Sequence, residues 1–247
     1  MNNKHLGLFF VFLENIGHMK FIYILIIFGL LSSCSSLESE SSIIKKIDRI
    51  PCGLPIEKVK SIKLGQLLIS IPLKKEAEMP VLFIFGGMYY ANPEFMQKNT
   101  PQELFEEAVI VFAPCRVEGG KGYLVYKTQL VKQLKKQGII IRDIAVCGFS
   151  AGGPDALEAE GADIKLIGLI DAVPEVNKKR LHYPKIINVF NKQNWWDNEF
   201  YGEKENYKHF AEFAKWTKKE GGIVEENEVK HELFPKYFLW RYRHLLI

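Results

Sequence analysis

Short apolar runs alternate along the chain with longer stretches in which apolar residues recur at helical spacing. Two of these runs, Val81 to Phe85 and Val109 to Ala113, are continuously apolar and end at Gly86 and Pro114. Continuous apolar runs are typical of strands that are covered on both faces, as in parallel sheets. The alternation therefore predicts an α/β domain in which a mostly parallel sheet carries helices on both faces.

The remaining elements follow from the same pattern. Ser61 to Pro72, with Gly65 in its middle, predicts a hairpin at one edge of the sheet. A short helix should start at Thr100-Pro101-Gln102-Glu103, which combines a capping hydroxyl, an early proline and a glutamate three residues after the threonine. The other predicted elements are a helix at Tyr123 to Gln137, strands at Ile144 to Cys147, Ile164 to Ile170 and Ile186 to Phe190, a helix at about Glu205 to Lys219, a strand from Ile223 and a closing helix from Tyr237.

The N-terminal segment has a different pattern. Met19-Lys20 precede an apolar run from Phe21 to Leu30, and Leu31-Ser32-Ser33-Cys34 follows. A basic start, an apolar core too short to span a bilayer comfortably and small residues before a cut are the requirements of a secretory leader. The segment resembles a bacterial lipoprotein signal peptide with a lipobox at its end. That resemblance implies that Cys34 is acylated and begins the mature protein, which is then held in the bacterial cell envelope, at the outer membrane or the periplasmic face. A cleaved leader with an ordinary cysteine and an uncleaved anchor are the alternatives.

Three segments are predicted from this division. Residues 1–33 form an upstream segment and the signal peptide, residues 34–45 a flexible acylated stalk, and residues 46–247 one domain. The net charge of +4 is mild and no long block of like charges occurs, so no nucleic-acid partner is expected. The three remaining cysteines do not define a disulfide framework; they are Cys52, Cys115 and Cys147.

Ser150 lies in Gly148-Phe149-Ser150-Ala151-Gly152, directly after the predicted strand and before a plausible helix. In this context the pentapeptide predicts a nucleophile elbow, a sharp and strained turn that lifts a serine hydroxyl above the sheet edge. The helix that follows directs free N–H groups and its positive dipole end toward an oxyanion formed there. Ser150 is therefore the candidate nucleophile.

A serine hydroxyl needs a base within reach and a carboxylate that orients the base. Among the histidines of the mature chain, His231 is favoured because it follows the last strand in a segment that ends in Pro235. Two carboxylates compete for the orienting role, Asp171 directly after its strand and Asp197 in the loop after the next. Asp171 is preferred because the strand fixes it more rigidly, although either aspartate is also explained as a turn cap. The other histidines are His182, His209 and His244, of which the first precedes a strand and the others lie on predicted helices.

The oxyanion hole requires one N–H from the residue after the serine and one from the loop after an earlier strand. Ala151 is the candidate for the first, and Gly87 and Met88 are the candidates for the second. The alternative for the Gly86-Gly87 pair is a plain turn. Nearby aromatic residues in predicted loops are candidates for a pocket lining: Tyr89, Tyr90, Trp195 and Trp196.

The serine motif, the glycine loop and the order Ser, Asp, His together resemble the α/β-hydrolase superfamily. Gly148 to Gly153 matches the nucleophile motif of this superfamily, and Phe85-Gly86-Gly87 is similar to its His-Gly-Gly loop, with phenylalanine in place of histidine. The resemblance implies an α/β-hydrolase fold and a serine esterase or lipase-like enzyme that cleaves small-molecule or lipid esters through an acyl-enzyme, with no metal or cofactor. The stretch from Ala172 to Lys185 is too short for a helical lid domain, so an open site is expected. A non-catalytic lipoprotein that binds a ligand, and an acyl-transfer or peptidase activity, are the alternatives.

Overall fold

The computed structural model describes residues 40–88, 92–173, 185–191 and 212–247. Ile43–Ile247 form one unit, and Met1–Ser42, of which only residues 40–42 are described, form the other. In the described ranges no helix has the length and apolarity needed to cross a bilayer.

In the described part of the chain one sheet has eight strands, which are β1 Val59–Leu64, β2 Leu67–Pro72, β3 Glu78–Phe85, β4 Val109–Ala113, β5 Ile140–Phe149, β6 Ile164–Ile170, β7 Lys185–Asn191 and β8 Ile223–Asn227. Their order across the sheet is β1-β2-β4-β3-β5-β6-β7-β8. The strands β1 and β2 form the predicted antiparallel hairpin, β2 is antiparallel to β4, and every other neighbouring pair is parallel. The predicted mostly parallel sheet is thus confirmed.

The helices lie on both faces of the sheet. They are α1 Glu40–Asp48, α2 Pro93–Lys98, α3 Gln102–Glu107, α4 Tyr123–Lys136, α5 Gly153–Leu157, α6 at 212–219, α7 Phe234–Arg241 and α8 Arg243–Leu246, and short 3-10 turns cover Arg116–Glu118, Ser150–Gly152 and His231–Leu233. Of the helix predicted from Glu205 to Lys219, the part before residue 212 lies outside the described residues.

Alternate residues of β3 contribute to two separate apolar clusters, because successive side chains of a strand point to opposite faces. Phe83 and Phe85 pack with Tyr126 of α4 on one face. Leu82 and Ile84 belong to the cluster that includes α7 on the other face. The continuous apolar run of β3 therefore reflects burial on both sides, as predicted.

The carboxyl ends of the parallel strands meet at one edge of the sheet. Phe85 pairs with Gly148, Phe149 with Ile170, and Ile170 with Val189. The residues that follow these strands, among them Ser150 and Asp171, are consequently brought to the same edge.

The start of α3 differs from its prediction. The helix begins at Gln102 with Pro101 at its N-cap, and Pro101 makes no capping side-chain bond. The hydroxyl of Thr100 instead donates to the carbonyl of Met96 at 2.8 Å, in the helix α2, which the sequence analysis missed. The capping role of Thr100 is therefore wrong, because its hydroxyl bonds to a carbonyl in the last turn of the preceding helix instead.

The end of the predicted stalk also differs from its prediction. Residues 40–45 belong to the helix α1, whereas a flexible stalk was expected over 34–45. Ile47, one turn after Ile43, is fully buried in the cluster that also contains α7. Apolar side chains one helical turn apart stabilise a helix by packing on the domain. The polar composition of the residues before Ile43 did not indicate this helix.

Cys52, Cys115 and Cys147 are all unpaired; Cys52 is half-buried and the other two are buried. The fully buried Cys147 has its thiol pKa raised by desolvation. It serves as a small core residue of β5, as the sequence suggested.

Candidate active site

The turn that carries Ser150 is strained and tightly confined. Ser150 has a backbone φ of 54°, which disfavours a residue with a side chain, and it connects β5 to a 3-10 turn and then α5. A Cβ at Gly148 would lie 2.2 Å from the carbonyl oxygen of Gly152, and a Cβ at Gly152 would lie 2.5 Å from that of Gly86. Backbone contacts therefore require both glycines, Gly148 by a contact inside the turn and Gly152 by a contact with the loop after β3.

The serine turn is also bonded to the segment that follows β6. The carbonyl of Ser150 accepts a hydrogen bond from the N–H of Val173 at 3.0 Å. A Cβ at Gly153 would lie 2.4 Å from the Cβ of Ala172. These contacts fix the turn against the residues that leave β6.

Asp171 follows β6 and is fully buried, with a backbone φ of 40°. Its own N–H donates to the carbonyl of Val189 at 2.7 Å. Its Oδ1 accepts from the N–H of Asn191 at 2.9 Å, and its Oδ2 lies 2.5 Å from Nδ1 of His231. Both oxygens are thus engaged, so the orientation of the carboxylate is fixed.

His231 begins a 3-10 turn after β8 and is 5 % exposed. Its ring stacks on Phe149, with 4.5 Å between the ring centroids and 28° between the planes. Because Phe149 immediately precedes Ser150, the imidazole lies beside the serine turn. A carboxylate at Nδ1 selects the tautomer in which Nδ1 donates and Nε2 is the accepting nitrogen, which a general base requires.

The glycine loop after β3 lies against the serine turn. The N–H of Gly86 donates to the carbonyl of Ala113 at 2.9 Å, and the thiol of Cys115 donates to the carbonyl of Gly87 at 3.6 Å. Gly87 and Ala151 are buried and Met88 is half-buried. Burial raises the pKa of the Cys115 thiol, which keeps it a neutral donor. The candidates for the oxyanion hole therefore come from two segments whose backbones touch at Gly86 and Gly152.

A buried carboxylate that the sequence analysis missed fixes the helix after the serine. Asp155 of α5 is 2 % exposed and accepts from the N–H of Arg116 at 3.0 Å and from its Nε at 2.5 Å. Arg116 also pairs with Glu158 at 2.7 Å. Burial raises the pKa of Asp155, against the opposing effect of Arg116. This pair joins α5 to the loop after β4, and no local motif in the sequence indicated it.

Asn191 is a second residue that the sequence analysis missed. It ends β7, and its side-chain amide donates to the carbonyl of Val229 at 3.0 Å. The one signal available in the sequence was a polar residue at the end of an apolar strand, at the edge where Asp171 was already expected.

Ser150 and the candidate residues around it are buried. Ser150 is 1 % exposed, and its neighbours Ala151, Asp171 and His231 are themselves buried. The described residues contain no helical lid domain, and the open site stays a prediction because most of the loops after β6 and β7 lie outside the described residues.

Several candidates fall where nothing is described. Asp197, the alternative acid, lies outside the described residues, and so do Cys34, His182, His209, Tyr89, Tyr90, Trp195 and Trp196. His244 is exposed on α8. Among the residues that are described, no group of three or more His, Cys, Asp or Glu side chains is placed to hold a metal ion.

Comparison with solved structures identifies the fold. Esterase B from Lactobacillus rhamnosis is similar with a TM-score of 0.51 and 12% sequence identity, over 84% of this chain and 96% of that chain. An esterase from Thermogutta terrifontis has a TM-score of 0.49 at 12% identity, over 81% of this chain and 96% of that one. An acylaminoacyl peptidase from Pyrococcus horikoshii has a TM-score of 0.48 at 14% identity, over 76% of this chain and 40% of that one. No protein-family model matches the sequence, and no curated protein matches it either.

The chain has the α/β-hydrolase fold. The strand order and the similarity to the Lactobacillus esterase show this fold class, which confirms the prediction from the sequence. At 12% identity the similarity shows the fold alone, so the activity is argued from the site.

Proposed function

We propose that this protein is a serine hydrolase that cleaves carboxylic esters through an acyl-enzyme intermediate. The observation that carries the proposal is the pair formed by Asp171 and His231, whose imidazole stacks on the residue before Ser150. A serine on a strained strand-to-helix turn, with a histidine oriented by a buried carboxylate, matches the arrangement that activates a hydroxyl for acyl transfer. Asp171 is the acid in this proposal because it contacts the histidine directly.

The chemical steps follow from these positions. Oγ of Ser150 attacks the ester carbonyl carbon while its proton passes to Nε2 of His231, and Asp171 stabilises the resulting imidazolium. The tetrahedral intermediate collapses, the C–O bond to the alcohol breaks, and the imidazolium gives its proton to the leaving oxygen. Water then loses a proton to His231 and attacks the acyl-enzyme, and Ser150 leaves with its proton restored as the acid is released.

The negative oxygen of the intermediate requires N–H donors at a fixed place. Ala151 lies at the start of the turn after Ser150, where N–H groups have no acceptor within the turn. Gly87 and Met88 follow the strand that ends beside Gly148. The backbone contact between Gly86 and Gly152 supports the assignment of both segments to one oxyanion hole.

The test is labelling of the full-length chain, solubilised in detergent, with a fluorophosphonate that reacts only with an activated serine. Wild type should be labelled, whereas Ser150→Ala and His231→Ala should not be. His244→Ala is the matched control, because that histidine is exposed on α8 and should leave labelling unchanged. A folded wild type that stays unlabelled would refute catalysis and favour a lipoprotein that only binds a ligand.

We further propose that the chain is exported and anchored in the bacterial cell envelope through acylated Cys34. The pattern from Met19 to Cys34 supports this proposal. Two or more acyl chains are needed for stable anchoring, since one chain binds only marginally. Metabolic labelling with an alkyne fatty acid should mark wild type and Cys52→Ser equally, and Cys34→Ser should lose the label and leave the membrane fraction. Equal labelling of Cys34→Ser would exclude the anchor.

A further inference from the structure

Asn191 makes one hydrogen bond to the candidate acid and another to the segment that carries the candidate base. Its backbone N–H donates to Oδ1 of Asp171 at 2.9 Å. Its side-chain Nδ2 donates to the carbonyl of Val229 at 3.0 Å, two residues before His231. Asn191 is 9% exposed, so both bonds are formed away from bulk water.

The segment before His231 is braced from its other side as well. The N–H of Val229 donates to Oδ1 of Asn227 at 3.0 Å, and the Val229 side chain is fully buried. Asn227 pairs with Asn191 as the last residue of the neighbouring strand. The carbonyl and the N–H of Val229 are therefore both held by the ends of β7 and β8.

The strand order explains why such a bond is needed. Ser150 follows β5 and His231 follows β8, and β6 and β7 lie between these strands. Adjacent strands are about 4.8 Å apart, so the chain must cross roughly 14 Å of sheet edge to bring the imidazole over Phe149. Asn191 ends β7, one of the two strands that are crossed.

We infer that Asn191 is a positioning residue that sets the orientation of His231 through Val229, an inference that rests on the proposed serine hydrolase function. Losing the bond from its side chain leaves the Val229 carbonyl buried without this donor, and the segment relaxes toward solvent or toward another partner. A shift of the imidazole by about 1 Å is enough to slow a reaction about a hundredfold, even when the substrate still binds.

Asn188 provides a matched control on the same strand. It is 2% exposed, and its Nδ2 donates to Oγ1 of Thr217 on α6 at 3.4 Å. Asn188→Ala therefore removes a buried amide of the same kind from β7 without touching the segment before His231. If Asn191 only stabilised the fold, Asn191→Ala and Asn188→Ala should have the same effect on labelling.

The experiment measures the rate constant and the half-saturating concentration for fluorophosphonate labelling of the full-length wild type, Asn191→Ala and Asn188→Ala in detergent, together with their thermal unfolding. Loss of stability lowers the fraction of protein that can be labelled. Loss of positioning lowers the rate constant of the folded fraction. We expect Asn191→Ala to reduce that rate constant about tenfold to a hundredfold with a half-saturating concentration close to wild type. Asn188→Ala should keep the wild-type rate constant.

A second variant keeps the inference testable if Asn191→Ala does not fold. Asn191→Asp preserves the size of the side chain and the backbone bond to Asp171, but it puts an acceptor against the Val229 carbonyl, so it should also label more slowly. Wild-type rate constants in Asn191→Ala or Asn191→Asp, or an equal reduction in Asn188→Ala, would overturn the positioning role. An unlabelled wild type would instead refute the proposed function, and the inference with it.

Discussion

The substitution Asp171→Asn is expected to reverse the hydrogen-bond roles at His231 without disrupting the turn. Oδ1 of Asp171 accepts from the N–H of Asn191 at 2.9 Å, and Oδ2 lies 2.5 Å from Nδ1 of His231. An asparagine that keeps the bond from Asn191 must place its carbonyl oxygen at the Oδ1 position, so its amide nitrogen faces Nδ1. Nδ1 must then accept, and the ring proton moves to Nε2, which can no longer take the proton of Ser150.

The expected size of the effect follows from this tautomer. In a Ser-His-Asp site the wrong tautomer lowers kcat about 10⁴-fold, which is about 5 kcal/mol in activation free energy. The fold should survive, because asparagine tolerates a left-handed backbone such as the φ of 40° at Asp171. Activity should therefore fall by a factor that loss of folded protein does not explain.

The assay is hydrolysis of a short p-nitrophenyl ester, with thermal unfolding measured on the same samples. Asp171→Ala is the companion variant, because it removes the carboxylate that orients His231 without placing an amide nitrogen against Nδ1. Asp197→Asn tests the other candidate acid from the sequence and should keep the wild-type rate. If folded Asp171→Asn hydrolyses the ester within about tenfold of wild type, the assignment of the acid to Asp171 is wrong.

Three further predictions concern the serine turn and the segment between α2 and α3. Gly152→Ala should lower kcat for ester hydrolysis at least about a hundredfold, because its Cβ would lie 2.5 Å from the Gly86 carbonyl oxygen and displace the loop that carries the proposed oxyanion-hole residues Gly87 and Met88. Thr100→Ala should lower the free energy of unfolding by about 1 kcal/mol in urea titration, through loss of the bond to the Met96 carbonyl, and an unchanged value would contradict that bond. Ser150→Gly should have a free energy of unfolding about 1 kcal/mol higher than Ser150→Ala in urea titration, because glycine adopts the φ of 54° without penalty. Equal stability of the two variants would mean that this turn is unstrained.

The sequence predicted those parts of the structure that depend on local pattern. The apolar runs located β3, β4 and β6, and the glycines around Ser150 predicted the sharp turn whose backbone contacts require them. Thr100 shows where local pattern fails. The sequence predicts that its hydroxyl caps the following helix, whereas the hydroxyl bonds to the Met96 carbonyl in a preceding helix that was not predicted. Asn191 shows the larger difficulty. Its partner Val229 is 38 positions away, and only the strand order brings the two together.

Backbone strain and candidate chemistry coincide at two successive strand ends. Ser150 and Asp171 are the non-glycine residues with positive φ in the described part of the chain. Each such conformation costs of order 1–3 kcal/mol, so each must be held by its surroundings. The carbonyl of Ser150 accepts from Val173, two residues after Asp171, and the N–H of Asp171 donates to Val189 on the next strand. The serine turn is thus held by the segment that follows β6, and the turn at Asp171 is held by β7, so each strained residue is bonded to a part of the chain that comes after it.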